Sequence, residues 1–244
     1  MSKSIAVISG KGGAGKSFFC INIAAALVKL GFPTVIIDTD SGMRNADILL
    51  HKSDSLVFDL SDLAAGNCSL DDALTLVNKS GTFSLIAGAK DADFIPDSDF
   101  LSSVAKQLSG RFAFILFDAP AGAGAIVRNV IKAADCITLV TNPPKESAIP
   151  AAAVSETAFR LCPNKQISIV LNKVNPKGIA KNEMSPDEIM DACVAKFLGL
   201  IYATDEVEKS KNKGQLLSLG SSLEATQLRN IARRICGENV PLLI

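Results

Sequence analysis

One short run near the amino terminus constrains this chain more than any other. Ser9-Gly10-Lys11-Gly12-Gly13-Ala14-Gly15-Lys16-Ser17 follows the apolar segment Ile5-Ala6-Val7-Ile8 and precedes Phe18-Phe19-Cys20-Ile21-Asn22-Ile23-Ala24-Ala25-Ala26-Leu27. Strand, glycine loop and helix in that order is the setting of a phosphate-binding loop. The glycines let consecutive backbone N–H groups turn inward around an anion. The helix that follows points its positive end at the same spot. Lys16 is placed to reach the terminal phosphates of a nucleoside triphosphate, and the Ser17 hydroxyl to ligate Mg²⁺. Gly10, Lys11, Gly12, Gly13, Ala14, Gly15, Lys16, Ser17 and Phe18 are the expected nucleotide contacts. A glycine turn without a ligand would leave the Lys-Ser pair and the strand–helix setting unexplained. Such a loop needs only one lysine, and taken alone Lys11 reads as a solvated loop residue.

Of the 244 residues, 48% are hydrophobic, and the mean hydropathy is +0.30. That suffices for one large α/β domain with a full core. The formal net charge is zero and the pI about 6.6, which argues against nonspecific nucleic-acid binding through the whole surface. Cys20, Cys68, Cys136, Cys162, Cys193 and Cys236 are scattered with no C-x-x-C pair, and His51 is the single histidine. Reduced core thiols fit that pattern; a zinc or iron–sulfur site within one chain does not. Met1-Ser2-Lys3-Ser4 leads straight into a strand too short for a secretory h-region. No apolar run approaches the ~20 residues of a spanning helix. The expectation is a cytoplasmic protein.

Strand-like runs recur at 5–9, 34–38, 83–87, 112–118, 136–141, 167–172 and 198–201, with helical segments between them. They are near-continuously apolar, as strands covered on both faces are. The alternation predicts an α/β fold with a doubly wound, mostly parallel sheet flanked by helices, as one domain over 1–244. Ligands in such sheets bind beyond the carboxyl ends of the strands, and the motifs below sit there. Asp38-Thr39-Asp40 ends the second strand. Two acids there could merely form a turn; beside a triphosphate, one can orient a water or a hydrated Mg²⁺ for in-line attack on the γ-phosphorus. Asp118, in Phe117-Asp118-Ala119-Pro120-Ala121-Gly122, is either a helix cap or a carboxylate for a Mg²⁺-ligated water. Gly122 can bring a backbone N–H to the γ-phosphate and release it after hydrolysis. In the last helix, over 222–235, Leu228, Ile231, Ala232 and Ile235 form one apolar face, read as core rather than membrane contact.

The pattern Lys-Gly-Gly-x-Gly-Lys-Ser at 11–17 resembles the deviant Walker A motif of the MinD/ParA family of dimerising ATPases. The likeness runs from Ile5 to about Pro241 and is closest to the MinD branch. Asp38 through Asp47 resembles that branch's first switch, Asp-x-Asp-x-Gly-x-Arg-Asn-x-Asp, and Asp118 through Gly122 resembles its second. Thr141-Asn142-Pro143-Pro144 resembles a Thr-Asn-Pro-Glu turn, and Leu171-Asn172-Lys173-Val174 an Asn-Lys/Arg element at the base pocket. The resemblance implies the P-loop NTPase fold, ATP and ADP as ligands, and Mg²⁺. It implies that Lys11 crosses a subunit interface to the partner's nucleotide. Lys11, Lys16, Asp40 and Asp118 would carry catalysis, with Asp40 positioning the attacking water. Ser17, Asp38, Asp40 and Asp118 would hold the metal, mostly through water. Arg44 and Asn45 would line the dimer or partner surface. Asn172 can pair with the adenine edge, or is a strand-end turn residue. Tyr202 stands where relatives carry a Pro-Glu-Asp base loop; its ring stacks on the base or simply packs. A second departure is Gly122-Ala123-Gly124-Ala125, which lacks the carboxylate the family carries next.

The implied function is ATP-driven homodimerisation that recruits or positions a protein partner, a regulator or cargo of the MinC or MinE kind, as in division-site placement. MinD proteins continue into a basic amphipathic tail that binds the bilayer. Val240-Pro241-Leu242-Leu243-Ile244 is apolar, uncharged and short. Membrane association is therefore expected to be weak, or indirect through a partner at the inner face of the cell membrane. The alternatives are a ParA-type partition ATPase on DNA, a flagellar-number-regulator-like ATPase, a small-molecule ligase, or a cluster carrier of the nitrogenase iron-protein kind. DNA is disfavoured because Lys209, Lys211, Lys213, Arg229, Arg233 and Arg234 are scattered. A ligase lacks further polar groups for a substrate, and a cluster carrier lacks a second suitably placed cysteine beside Cys136.

Overall fold

Side-chain parity along the strands decides which residues face the phosphate loop. The computed structural model describes residues 2–178 and 181–243; Met1 and Ile244, which enter the readings of the two termini, lie outside them. The strands are β1 (Lys3–Ser9), β2 (Thr34–Asp38), β3 (Leu74–Leu76), β4 (Phe83–Ile86), β5 (Phe114–Ala121), β6 (Cys136–Thr141), β7 (Ile167–Val174) and β8 (Lys196–Tyr202). They form one sheet in the order β3-β4-β2-β5-β1-β6-β7-β8. All pairings are parallel except β3 on β4. The short antiparallel edge strand β3 is the one the apolar pattern did not announce: its burial is only partial.

The helices are α1 (Lys16–Lys29), α2 (Asn45–Leu49), α3 (Leu60–Ala65), α4 (Leu70–Ala73), α5 (Ser98–Leu108), α6 (Ala125–Ala133), α7 (Lys145–Leu161), α8 (Pro186–Cys193), α9 (Asp205–Asn212) and α10 (Leu223–Ile235). They split between the two faces. Ala6, Ile8, Val35, Ile37, Ile115 and Phe117 of the sheet pack with Val104, Val127, Val130, Ala151, Val154 and Ile189, which come from α5 to α8. Ile5, Val7, Ile36, Phe114 and Leu116 pack with α1 and α10 on the other face. Leu228, Ile231, Ala232 and Ile235 of α10 all belong to that second cluster, so the apolar face of the last helix is core, as expected. Helix α1 is buried from Phe18 through Leu27, because sheet and α10 cover it from both sides.

Period-two alternation continues through the polar residues. Asp38 follows Ile36 by two and Asp118 follows Leu116 by two, so both carboxylates face α1. Asp38 and Asp118 are register partners on neighbouring strands β2 and β5. Asp118 lies inside β5, which runs on to Ala121, and so caps no helix. On β8, Leu200 and Tyr202 belong to the α5–α8 face while Ile201 belongs to the α1 face. Tyr202 therefore points away from the phosphate loop.

Helix α7 carries Pro150 in its interior, where the ring removes one helical N–H. Gly10 sits against this point. A Cβ on Gly10 would lie 2.2 Å from the Pro150 carbonyl carbon and 2.3 Å from the Ala151 nitrogen, whereas one on Gly12 would meet nothing within 4 Å. Gly10→Ala forces two main chains apart and is expected to destabilise the protein by about 3 kcal/mol. Gly12→Ala should stay within about 0.5 kcal/mol of the parent. Urea melts of the two variants without nucleotide check this.

Candidate functional site

The phosphate loop enters α1 through Gly15, whose φ is 89°, and no side chain caps the helix. The first-turn N–H groups are thus left for an anion. A Cβ at Gly15 would also lie 2.2 Å from the Asn172 amide nitrogen, so both conformation and space require glycine. Inside the loop, Ser9 Oγ donates to the Lys11 carbonyl at 3.0 Å.

The two lysines of the loop diverge. Lys16 is 8% exposed and, with Ser17, lines a cleft of about 550 Å³. The rest of its wall comes from Gly12, Gly13, Gly15, Phe18, Asp40, Met43, Asn45, Ile48, Leu49, Ala121 and Lys211. Lys11 is outside that wall. Its side chain is 47% exposed, with the ammonium 3.6 Å from a Glu146 carboxylate oxygen at the start of α7.

Behind the loop lie two buried acids. Burial raises Asp38 well above the ordinary carboxylate range, and the neighbouring Asp118 raises it further. Its oxygens accept the Asp40 N–H at 2.9 Å and the Ala46 N–H at 3.2 Å. Asp38 therefore ties the first switch to the end of β2. Two of its lone pairs are taken by the backbone of the first switch. Asp118 is pushed by burial from 3.8 up to about 6, with Ser17 and Lys16 pulling it back. Ser17 lies near it, yet neither Asp118 oxygen has a partner of normal hydrogen-bond geometry. A buried carboxylate with two unengaged oxygens beside a serine hydroxyl fits a hydrated divalent cation. Asp40 lines the cleft. Burial raises its pKa, and Lys16 and Asn45 counter that rise.

Other expected residues are arranged differently. Asn172 is 3% exposed and donates its amide to the Ala14 carbonyl at 2.8 Å. It is absent from the cleft wall, and one of its amide N–H groups holds the loop. Tyr202 joins Pro143, Leu171, Met184 and Pro186 around a separate pocket of about 290 Å³. Strand parity sends the ring to the α5–α8 face, where it packs. Arg44 pairs with Asp47 at 3.0 Å, and the two side chains are only 15% and 3% exposed. Its guanidinium is folded against the switch itself. The Gly122 N–H donates to the Ser9 carbonyl at 2.8 Å, a bond that must open before this group could meet a phosphate.

Several residues named in the sequence make contacts with the loop and cleft that no motif specifies. Lys173 donates to the Gly13 carbonyl at 2.8 Å. The Asn142 amide, oriented as its surrounding carbonyls require, donates to Ala14 at 3.2 Å. The Lys211 ammonium of α9 lies 5.1 Å from the centre of the Phe18 ring, closing the end of the cleft where Ile48 and Leu49 stand. Their signal would have been contact across the sheet, which spacing along the chain does not carry. Cys136 begins β6, at the end of the sheet away from the loop. All six cysteines are free, and no group of three or more metal-ligating side chains forms among the described residues. No helix among them is long and apolar enough to cross a membrane.

Comparison with known proteins agrees with this geometry. Residues 5–217 match the family described as the CobQ/CobB/MinD/ParA nucleotide binding domain. The septum site-determining protein MinD of Synechocystis sp. is 33% identical over 248 residues, covering 100% of this chain and 92% of the relative. Among solved structures, the MinC:MinD cell division protein complex of Aquifex aeolicus superposes with a TM-score of 0.90 at 26% identity, covering 100% of this chain and 99% of that one. The septum site-determining protein MinD of Pyrococcus horikoshii, complexed with Mg-ADP, gives 0.83 at 24% identity, covering 96% of each chain, and speaks for the fold alone. A phosphate loop with two lysines, the switch segments beside it, and likeness along the whole chain place this protein in the MinD branch of the CobQ/CobB/MinD/ParA nucleotide-binding family.

Proposed function

We propose that this chain is an ATPase that works as a dimer switch: ATP closes two copies face to face, a protein partner binds the closed pair, and hydrolysis to ADP and phosphate reopens it. The observation that carries this reading is the divergence of the loop lysines. Lys16 is buried in its own cleft, while Lys11 projects outside it, where an ammonium is available to a second molecule. The relatives' names support a role in placing the division site, and the solved MinC:MinD complex supports a protein partner of that kind. The proposed place of action is the cytoplasm and the inner membrane face.

Each residue takes a role its surroundings support. The backbone N–H groups of Gly13 to Ser17 and the Lys16 ammonium hold the phosphates. Asp40, at the cleft wall and close enough to Lys16 and Asn45 to feel both, orients the attacking water. Asp118 and Ser17 hold Mg²⁺, which when bound neutralises charge on the phosphate oxygens. Asp38 keeps the first switch attached to β2. Lys11 reaches the partner's nucleotide and stabilises charge developing there; to do so it must leave Glu146, an exposed pair worth about 0–1 kcal/mol and so easily broken. The α1–α2–α9 end of the cleft, with Phe18 and Lys211, receives the base. A DNA-binding role has less support, since the net charge is zero.

Light scattering after size exclusion tests the switch. The parent should be monomeric with ADP. Asp40→Ala with ATP should be a dimer and hydrolyse at least about 100-fold more slowly. Lys11→Ala with ATP should stay monomeric while still binding nucleotide. Monomers in every sample would contradict the reading.

Asp118 gives a second test, of opposite sign for stability and activity. Its folded pKa of about 6 exceeds its ordinary 3.8, so the folded state holds the proton more tightly than the unfolded chain. Stability is present at low pH and is lost as pH rises from about 4 through about 6. Removing the charge with Asp118→Asn should stabilise the nucleotide-free protein at pH 7.5 by about 1–3 kcal/mol. It should also flatten that pH dependence and abolish Mg²⁺-dependent hydrolysis. Denaturant titrations from pH 4 to 8 and phosphate release measure the two effects.

A further inference from the structure

Lys173 occupies a position from which a regular strand would turn it away from the phosphate loop. On β7, Leu171 packs on the α5–α8 face and Val170 on the α1 face. Alternation therefore sends Asn172 toward α1 and Lys173 to the opposite side. Two deviations change this. The pairing of β7 with β8 slips between Leu171 and Val174, and Lys173 has a φ of +57°. Val174 returns to the α5–α8 face, so Lys173 is the extra residue of a bulge. Bulges next to active sites re-aim side chains, and a non-glycine residue persists in the left-handed region only when its surroundings hold it there. The contacts reveal the effect of the bulge. Asn172 donates to the Ala14 carbonyl at 2.8 Å and Lys173 to the Gly13 carbonyl at 2.8 Å, so adjacent side chains hold adjacent loop carbonyls.

A trans peptide is planar, and its C=O and N–H point in opposite directions. Fixing the Gly13 carbonyl outward aims the Ala14 N–H inward, and fixing the Ala14 carbonyl aims the Gly15 N–H inward. These are donors the anion cradle uses. Gly13 itself has a φ of +78° and no side chain to restrict its peptide, so this plane needs an outside restraint. We propose that Lys173 is a positioning residue for nucleotide binding: through the bulge in β7 it sets the orientation of the Gly13–Ala14 peptide, and with it part of the phosphate cradle, without touching the nucleotide. The inference rests on the reading of the cleft as an ATP site and extends it to a residue outside the cleft wall.

Binding of fluorescent ATP and ADP analogues to the parent, Lys173→Met, Lys173→Gly and Lys173→Arg tests it. Lys173→Gly adopts the left-handed φ without strain, so it keeps the test valid if Lys173→Met folds poorly. The expected result is about tenfold weaker binding of both nucleotides by Met and Gly variants, with Lys173→Arg within about threefold of the parent because it retains a cationic donor. KM for ATP should rise more than kcat falls. Parent-like affinity in the Gly variant, or Arg as weak as Gly, would overturn the positioning role while leaving the ATPase reading intact. A parent protein that binds neither nucleotide would remove both.

Discussion

Charge held out of water at the carboxyl ends of the central strands is the constraint on which this structure turns. Asp38 and Asp118 stand side by side on β2 and β5, both almost entirely buried, with Lys16 scarcely more exposed. Two like charges on neighbouring strands, in a poor dielectric, oppose folding. The fold tolerates them because each is compensated differently. Asp38 commits its oxygens to backbone N–H groups of the first switch. Asp118 is left with the neighbouring Lys16 and Ser17 and with oxygens not otherwise engaged. One acid is engaged by the backbone and its neighbour is left open, though they occupy equivalent register positions. The difference comes from the next segment of chain in each case: a loop that curls back over Asp38, and a strand that continues past Asp118.

That division of labour also shows how far the sequence can be read. Apolar runs locate the strands buried on both faces, and the glycine loop between a strand and a helix locates the site. Edge strand β3 escapes because Leu74 and Thr75 are only partly buried, Leu76 is exposed, and the three are too few for a period to emerge. Sequence motifs assign Asp38, Asn172 and Tyr202 by their neighbours in the chain, but their contacts in the fold are made across the sheet. Strand parity places Tyr202 on the α5–α8 face. The Asn172 amide meets the Ala14 carbonyl, 158 residues away. A bulge, which decides the direction of Lys173, has no compositional mark in Leu171-Asn172-Lys173-Val174.

The loop is consequently supported from beneath by elements remote in sequence. Ser9 closes it from within, Asn172 and Lys173 hold its carbonyls from β7, and Asn142 reaches it from the turn after β6. A cradle that must present N–H groups to an anion has to dispose of its carbonyls elsewhere. Here polar side chains from two adjacent strands take that task, which preorganises the donors before a ligand arrives.

The close approach of Gly10 to Pro150 has a mechanical meaning. Side chains absorb small displacements by changing rotamer; two main chains in direct contact have no such slack. The helix is already missing a rung at the proline, and its leading segment carries Glu146 and Ile149 in the open. The floor of the cleft's first turn and the spine of a surface helix thus meet atom against atom, with no side chain between them to act as packing.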